Sequence, residues 1–259
     1  MEPPISPLIF VILLFVGMQI LLETGRRLAL ARRSKESEGE RSSLGAIEGA
    51  VFALFGLLMA FTFSGAALRF NEKRMLVAEE ANTIETAYLR LHLLAPEARP
   101  KLQELFRKYA ESRLETYRRL PNMQAAELEM ANSKRMQEEI WTGAIAATRL
   151  SSSHPAAGWL LPPALNNMID IVTTRTFALQ IHPPRVIYLL LFGLGLICSL
   201  LAGYRMASAQ QRSWLHILGF TVITVIVVYV MLDIEYPRTG LFRLTASDDV
   251  LVKVRMAMK

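Results

Sequence analysis

Two short charged stretches hold the residues whose types and spacing could do chemistry. Glu79, Glu80, Asn82 and Glu85 place three carboxylates and an amide within two helical turns. Oxygen ligands of that kind suit a hard cation, although charge on a long exposed helix is more often a solvated face. Just upstream, Arg69, Lys73 and Arg74 form a basic cluster of the kind that draws anions. Other chemistries lack their residues. No nucleophile motif, Gly-rich phosphate loop or metal-ligand spacing occurs, and His92, His154, His182 and His216 are widely separated. Cys198 is the single cysteine, which excludes an intrachain disulfide and a Cys-based metal site. No catalytic, cofactor-binding or metal-binding residue is assigned, and the expectation is a protein that is not an enzyme and carries no cofactor.

The elements that must position these residues are apolar and long. The chain is 52% hydrophobic, with a mean hydropathy of +0.29. Four runs supply the excess: Ile5–Leu22, Leu44–Leu68, Val186–Ala202 and Trp214–Leu232. Each has about the length of a membrane-spanning helix. The net charge of +6 is spread among acids on helical faces, so a nucleic-acid partner is not expected.

Residues 1–22 read as a first transmembrane helix rather than a signal peptide, because the positive charge follows the apolar run. Residues 23–43 read as a basic polar connector carrying Arg26, Arg27, Arg32, Arg33, Lys35 and Arg41. The second transmembrane helix, 44–68, runs without Pro or Gly into the charged segment beyond it. A single helix leaving the bilayer is expected, on the order of 75 Å long. Its small residues Gly49, Ala53, Gly56, Ala60 and Ser64 recur at helical spacing, which lets helices approach closely in lipid. Such a face packs either against the other spans or around the axis of an oligomer. Glu48 lies at the start of this span, where it either reaches the headgroups or needs a partner.

Residues 69–184 read as a helical extramembrane domain. Val77, Ala81, Ile84, Tyr88 and Leu91 follow the 4, 3, 4, 3 rhythm of a packing seam, and Pro96 ends the helix. A second helix carries Leu102, Leu105, Phe106, Tyr109 and Leu114, and a third carries Leu128, Ile140, Trp141, Ala144 and Ile145. Ser151–Pro163 reads as a loop. Ala164–Ile181 is a fourth helix with a seam at Leu165, Ile169, Val172, Thr176 and Leu179. The third transmembrane helix (185–203), a short loop (204–213), the fourth transmembrane helix (214–232) and a polar C-terminal tail (233–259) complete the chain. The expected fold is an all-α membrane protein with four transmembrane helices. Its helical extramembrane domain lies between the second and third, and the second helix continues out of the bilayer. Counting basic residues in the short loops favours the connector on the cytoplasmic side.

Three segments together resemble a bacterial membrane family of unassigned biochemistry, known as bestrophin-like. They are FALFGLLMAFTFSGAALRFNEKRMLVAEEANTIETAYLRLHLL (Phe52–Leu94), FRKYAESRLETY (Phe106–Tyr117) and LDIEYPRTGLFRL (Leu232–Leu244). A spanning helix running into RF-x-E-x-R and then EEAN is the most specific of these features. The post-membrane segment is a near match to D-x-P-x-x-G-x-x-R-V, with Leu244 in place of Val. More distantly, the order of elements is similar to that of bestrophins, pentameric anion channels whose second spans line the pore. That resemblance implies a multi-pass protein of the bacterial inner membrane, a homo-oligomer (a pentamer by analogy) whose partners are the lipid bilayer and inorganic ions. It implies passive ion conduction, of anions, with Gly49, Ala53, Gly56, Ala60 and Ser64 lining the pore and Arg69, Lys73 and Arg74 at its mouth. Phe52, Phe55, Phe61 and Phe63 are the candidates for a constriction. It also places the helical domain in the cytoplasm, opposite to the side favoured by the basic residues. The alternative is a non-conducting membrane scaffold or sensor whose helical domain binds a partner protein. The polar groups that discriminate between the two are Glu48, Thr62, Ser64, Ser199, Thr221 and Thr224.

Overall fold

The computed structural model describes residues 6–32, 38–120, 122–207, 214–236 and 245–258. Their secondary structure is helical: α1 (Pro7–Arg32), α2 (Glu38–Arg90), α3 (Arg99–Arg118), α4 (Met123–Thr148), α5 (Ala157–Gln180), α6 (Arg185–Met206), α7 (Trp214–Glu235) and α8 (Thr245–Ala257). A 3-10 turn, Leu91–Leu93, follows α2. The chain divides into two compact units, Met1–Arg69 with His182–Tyr236 and Phe70–Ile181 with Pro237–Lys259. As expected, α2 is a single helix. Its 53 residues extend about 80 Å.

The first unit holds four helices long and apolar enough to cross a membrane, which makes the chain an integral membrane protein. Leu14, Met18, Phe55, Leu191, Cys198, Val228 and Met231 are buried together in its core. Helices α1 and α6 pack tightly, and the approach depends on glycine. A Cβ placed on Gly25 would lie 2.0 Å from the Leu200 carbonyl oxygen, and one on Gly203 would lie 2.0 Å from that of Leu22. Only backbones without side chains at the crossing can come so near. Polar side chains are satisfied inside the bundle: the Gln19 amide donates to Thr221 Oγ1 at 3.0 Å. Thr62, Ser199 and Thr221 donate to carbonyls one turn back.

The polar connector is a point of difference. Helix α1 continues ten residues past Leu22 and α2 begins at Glu38, so most of residues 23–43 is helical. Arg, Leu, Ala and Glu dominate this stretch and all favour helix. Residues 33–37, residues 208–213 of the loop expected at 204–213, and Pro237–Leu244 lie outside the described residues.

In the second unit the expected seam of α2 is buried throughout, at Val77, Ala81, Ile84, Tyr88 and Leu91. Tyr88 meets Phe106 of α3 edge-on at 5.9 Å. Asn122 starts α4 by accepting from the Ala125 amide, the usual role of a side chain at that position. Four expectations are corrected here. Helix α5 begins at Ala157 and carries Pro162 and Pro163 inside it, each leaving the carbonyl four residues back without its backbone donor. Its buried face runs Leu161, Ala164, Met168, Ile171, Arg175, one residue earlier than the expected seam except at Leu165, because two apolar stripes lie side by side on this helix. In α4, Ile140 and Ala144 are buried as expected, but Leu128 and Trp141 are exposed, and Ala126, Ser133, Gln137 and Ala147 complete the buried face instead. The tail is not simply polar, since α8 buries Leu251, Val254 and Met258 at helical spacing against the rest of the core.

Candidate functional site

The first candidate is the face of α2 in the first unit. Gly49, Ala53, Gly56, Ala60 and Ser64 all lie exposed along it. A Cβ on Gly49 or Gly56 would meet nothing within 4 Å. Among the described residues these two positions are therefore not used for close helix packing, unlike Gly25 of α1 and Gly203 of α6. Of the aromatics, Phe55 is buried, Phe52 meets Phe220 edge-on at 5.8 Å, and Phe61 and Phe63 are exposed.

Two ion pairs bracket this face. At one end Arg205 Nε lies 3.3 Å from Glu48 Oε2, and the carboxylate is nearly buried. At the other, Arg69 makes a two-pronged contact with Glu235, Nε to Oε1 at 3.2 Å and Nη2 to Oε2 at 2.9 Å. His182 Nδ1 lies 3.1 Å from the same carboxylate, and its ring stacks on Tyr236 at 4.7 Å. Along α2, Glu48 and Arg69 are about 32 Å apart, close to the roughly 30 Å thickness of a hydrocarbon core. Each charge thus sits where a span meets polar surroundings and is paired there. Glu48 both lies near an end of the span and has a partner.

The basic cluster is divided by the structure. Arg69 is taken up by Glu235, Lys73 is buried, and Arg74 is exposed. The acidic cluster is divided too: Glu79, Asn82 and Glu85 are exposed, while Glu80 is fully buried. The solvated-face expectation therefore holds for three of the four and fails for Glu80. Among the described residues no three His, Cys, Asp or Glu side chains come together as a metal site.

Glu80 forms the second candidate, a charged network in the core of the second unit. Arg113 Nε donates to Glu80 Oε1 at 2.6 Å, and Tyr117 donates to Oε2 at 3.1 Å. Arg175 pairs with the same carboxylate and lies over the Tyr117 ring, 3.6 Å from its centroid. Arg113 also donates to the Tyr117 hydroxyl. Burial alone would raise the Glu80 carboxyl, but Arg113 and Arg175 outweigh it and hold it at about 2. Burial, reinforced by Glu80, pushes the Tyr117 phenol up to about 12. Glu80 is thus charged, and the network acts as a fixed cross-brace between α2, α3 and α5.

Glu235, Arg205, Arg113, Tyr117 and Arg175 were not assigned a role from sequence, and His182 was noted only as one of four scattered histidines. A weak signal existed for some of them. Glu235 closes an apolar run, and Arg113 and Tyr117 stand four apart on one helix within the segment that carries the family resemblance.

Residues 12–248 match the bestrophin-like domain. Crystal structures of a bacterial bestrophin homologue from Klebsiella pneumoniae share the fold. A tryptophan-to-alanine variant has a TM-score of 0.66 at 15% identity, covering 98% of both chains. A tyrosine-to-alanine variant has a TM-score of 0.63 at 15% identity, covering 94% of this chain and 98% of the other. A crystal structure described as a membrane protein, carrying a proline-to-alanine change, has a TM-score of 0.63 at 18% identity, covering 98% and 99%. No protein of curated function matches this chain in sequence.

Proposed function

We propose, for a chain that belongs to the bestrophin-like family, that it is a homo-oligomeric, multi-pass protein of the bacterial inner membrane that conducts ions passively, with anions preferred. The second unit lies in water, because α3 and α4 carry too many charges for hydrocarbon. Copies meet around an axis lined by α2, and Gly49, Ala53, Gly56, Ala60 and Ser64 set the width of the path. The observation that carries this is the open small-residue face, where a Cβ on Gly49 or Gly56 would meet nothing within 4 Å among the described residues. Small residues facing lipid gain nothing, whereas at an axis they leave room. Arg74, the exposed member of the basic cluster, supplies positive charge beyond the span.

One observation favours the alternative, a non-conducting scaffold or sensor that binds a partner protein. The polar groups of the spans are largely engaged, Thr62, Ser199 and Thr221 with backbone carbonyls and Glu48 with Arg205. Ser64 is then the polar side chain left on the open face. Ion flux from purified protein in liposomes decides between them, comparing chloride with potassium gradients. The control is Gly56→Trp with unchanged oligomer size. Chloride flux abolished by Gly56→Trp is the expected result. Absence of flux for both ions from correctly assembled protein overturns conduction in favour of the scaffold.

A further inference from the structure

The carboxy-terminal turns of α1 carry a preorganised pair of guanidinium groups that the conduction path does not use. Glu23 accepts from Arg26 Nε and Nη2, both at 3.1 Å, and from Arg27 Nε at 2.9 Å. One carboxylate thus orients two guanidiniums, and the three groups together are net positive. Arg27 remains largely exposed and Arg26 partly so. Two hollows adjoin here. One, of about 400 Å³, is lined by Leu22, Arg26, Trp214 and Ile217 among others, and the second, of about 410 Å³, by Ile20, Thr24 and Arg27. Gln19, Glu23 and Arg27 line both.

An apolar track leads to this point. Ile9, Leu13, Val16 and Ile20 are exposed on α1 at spacings of 4, 3 and 4, and Thr24 and Arg27 continue the same face. From Val16 to Arg27 the track is about 16 Å long, half of a roughly 30 Å hydrocarbon core and so the depth of one leaflet. Guanidiniums bind phosphate through paired hydrogen bonds, and basic pockets between spans bind anionic headgroups. An arginine that merely snorkels to the interface needs neither a carboxylate to hold its fork nor a hollow beside it.

We propose that the end of α1, with α6 and α7, binds the phosphate of an anionic phospholipid between Arg26, Arg27 and Trp214, the acyl chain lying along Ile20, Val16 and Leu13. A zwitterionic lipid binds less well there, because its own cation competes with the guanidiniums. Native mass spectrometry of the full-length protein in detergent, mixed with equal amounts of phosphatidylglycerol and phosphatidylcholine, tests this. The wild type should retain phosphatidylglycerol roughly fivefold over phosphatidylcholine, the effect of about one net positive charge. Arg26→Gln with Arg27→Gln should abolish that preference while leaving phosphatidylcholine retention and assembly mass unchanged. Equal retention of the two lipids by the wild type overturns the proposal, as does a preference that survives in the double variant. Inorganic phosphate added as competitor separates a lipid site from a free-anion site. Displacement of phosphatidylglycerol by phosphate at matched concentration would overturn the lipid assignment. Should the double variant fail to assemble, the wild-type headgroup comparison and the phosphate competition still decide.

Discussion

Glu80→Gln is the substitution that most directly probes the core of the second unit. The side chain keeps its volume, and its amide oxygen can still accept from Arg113, but the charge that faces Arg113 and Arg175 is gone. Removing one partner of a buried ion pair costs about 3–5 kcal/mol, and the retained acceptor places glutamine at the lower end. The titration of Glu80 leads to a similar figure. Its carboxyl is held at about 2 against an ordinary 4.5, which corresponds to about 3 kcal/mol of stabilisation of the charged form. Hydrogen–deuterium exchange of peptides covering Arg113–Tyr117 and Arg175 reads this out. A loss of about 3 kcal/mol accelerates exchange through opening of this unit roughly a hundredfold, with peptides of α6 as the internal reference. A change smaller than about tenfold would refute the cross-brace. A further variant, Glu80→Leu with Arg113→Met and Arg175→Met, should recover most of the protection, because apolar replacements of a whole buried ion network are commonly neutral or better.

Two further outcomes follow from the same structure. Gly203→Ala puts a methyl 2.0 Å from the Leu22 carbonyl oxygen and should destabilise by about 1–3 kcal/mol; Gly219→Ala meets nothing within 4 Å and should be neutral or stabilising by up to about 1 kcal/mol. Opposite signs of the two thermal shifts confirm the glycine crossing, and equal shifts refute it. The depressed Glu80 carboxyl adds stability that is complete above its free value of 4.5 and fades as pH falls towards about 2, so the thermal midpoint of the wild type should drop across that window; the drop should be smaller in Glu80→Gln.

The spans, the length of α2 and its seam at Val77–Leu91 were legible because each rests on a local period, twenty apolar residues or a heptad rhythm. What could not be read depends on partners far away in the chain. Glu80 looks like any helix-surface acid until Arg113, 33 residues away, and Arg175, 95 away, are brought to it. Arg175 in turn concealed the true buried face of α5, since an arginine in a seam reads as its edge. Asp248, Asp249 and Lys253 made the tail look wholly polar, although Leu251, Val254 and Met258 sit at helical spacing among them.

Small residues show the same limit in a form that bears on function. The glycines of α1 and α6 and the stripe of α2 look alike in sequence, because both offer small side chains at close-packing intervals. In the structure they separate: at Gly25 and Gly203 an added carbon collides with a neighbouring backbone, and at Gly49 and Gly56 it meets nothing. Intrachain packing thus accounts for Gly25 and Gly203 and leaves Gly49 and Gly56, like Gly193 of α6, uncommitted among the described residues, and the proposed axis of copies follows the five-residue stripe of α2. The charges divide in a comparable way. With Arg69 held by Glu235 and Lys73 buried, a basic ring at the end of the span cannot be counted from sequence as three cations per copy. Any anion preference therefore rests on Arg74 and on the field of paired groups, and that makes the chloride-to-potassium flux ratio, with and without Arg74→Gln, the quantity that ties selectivity to this helix.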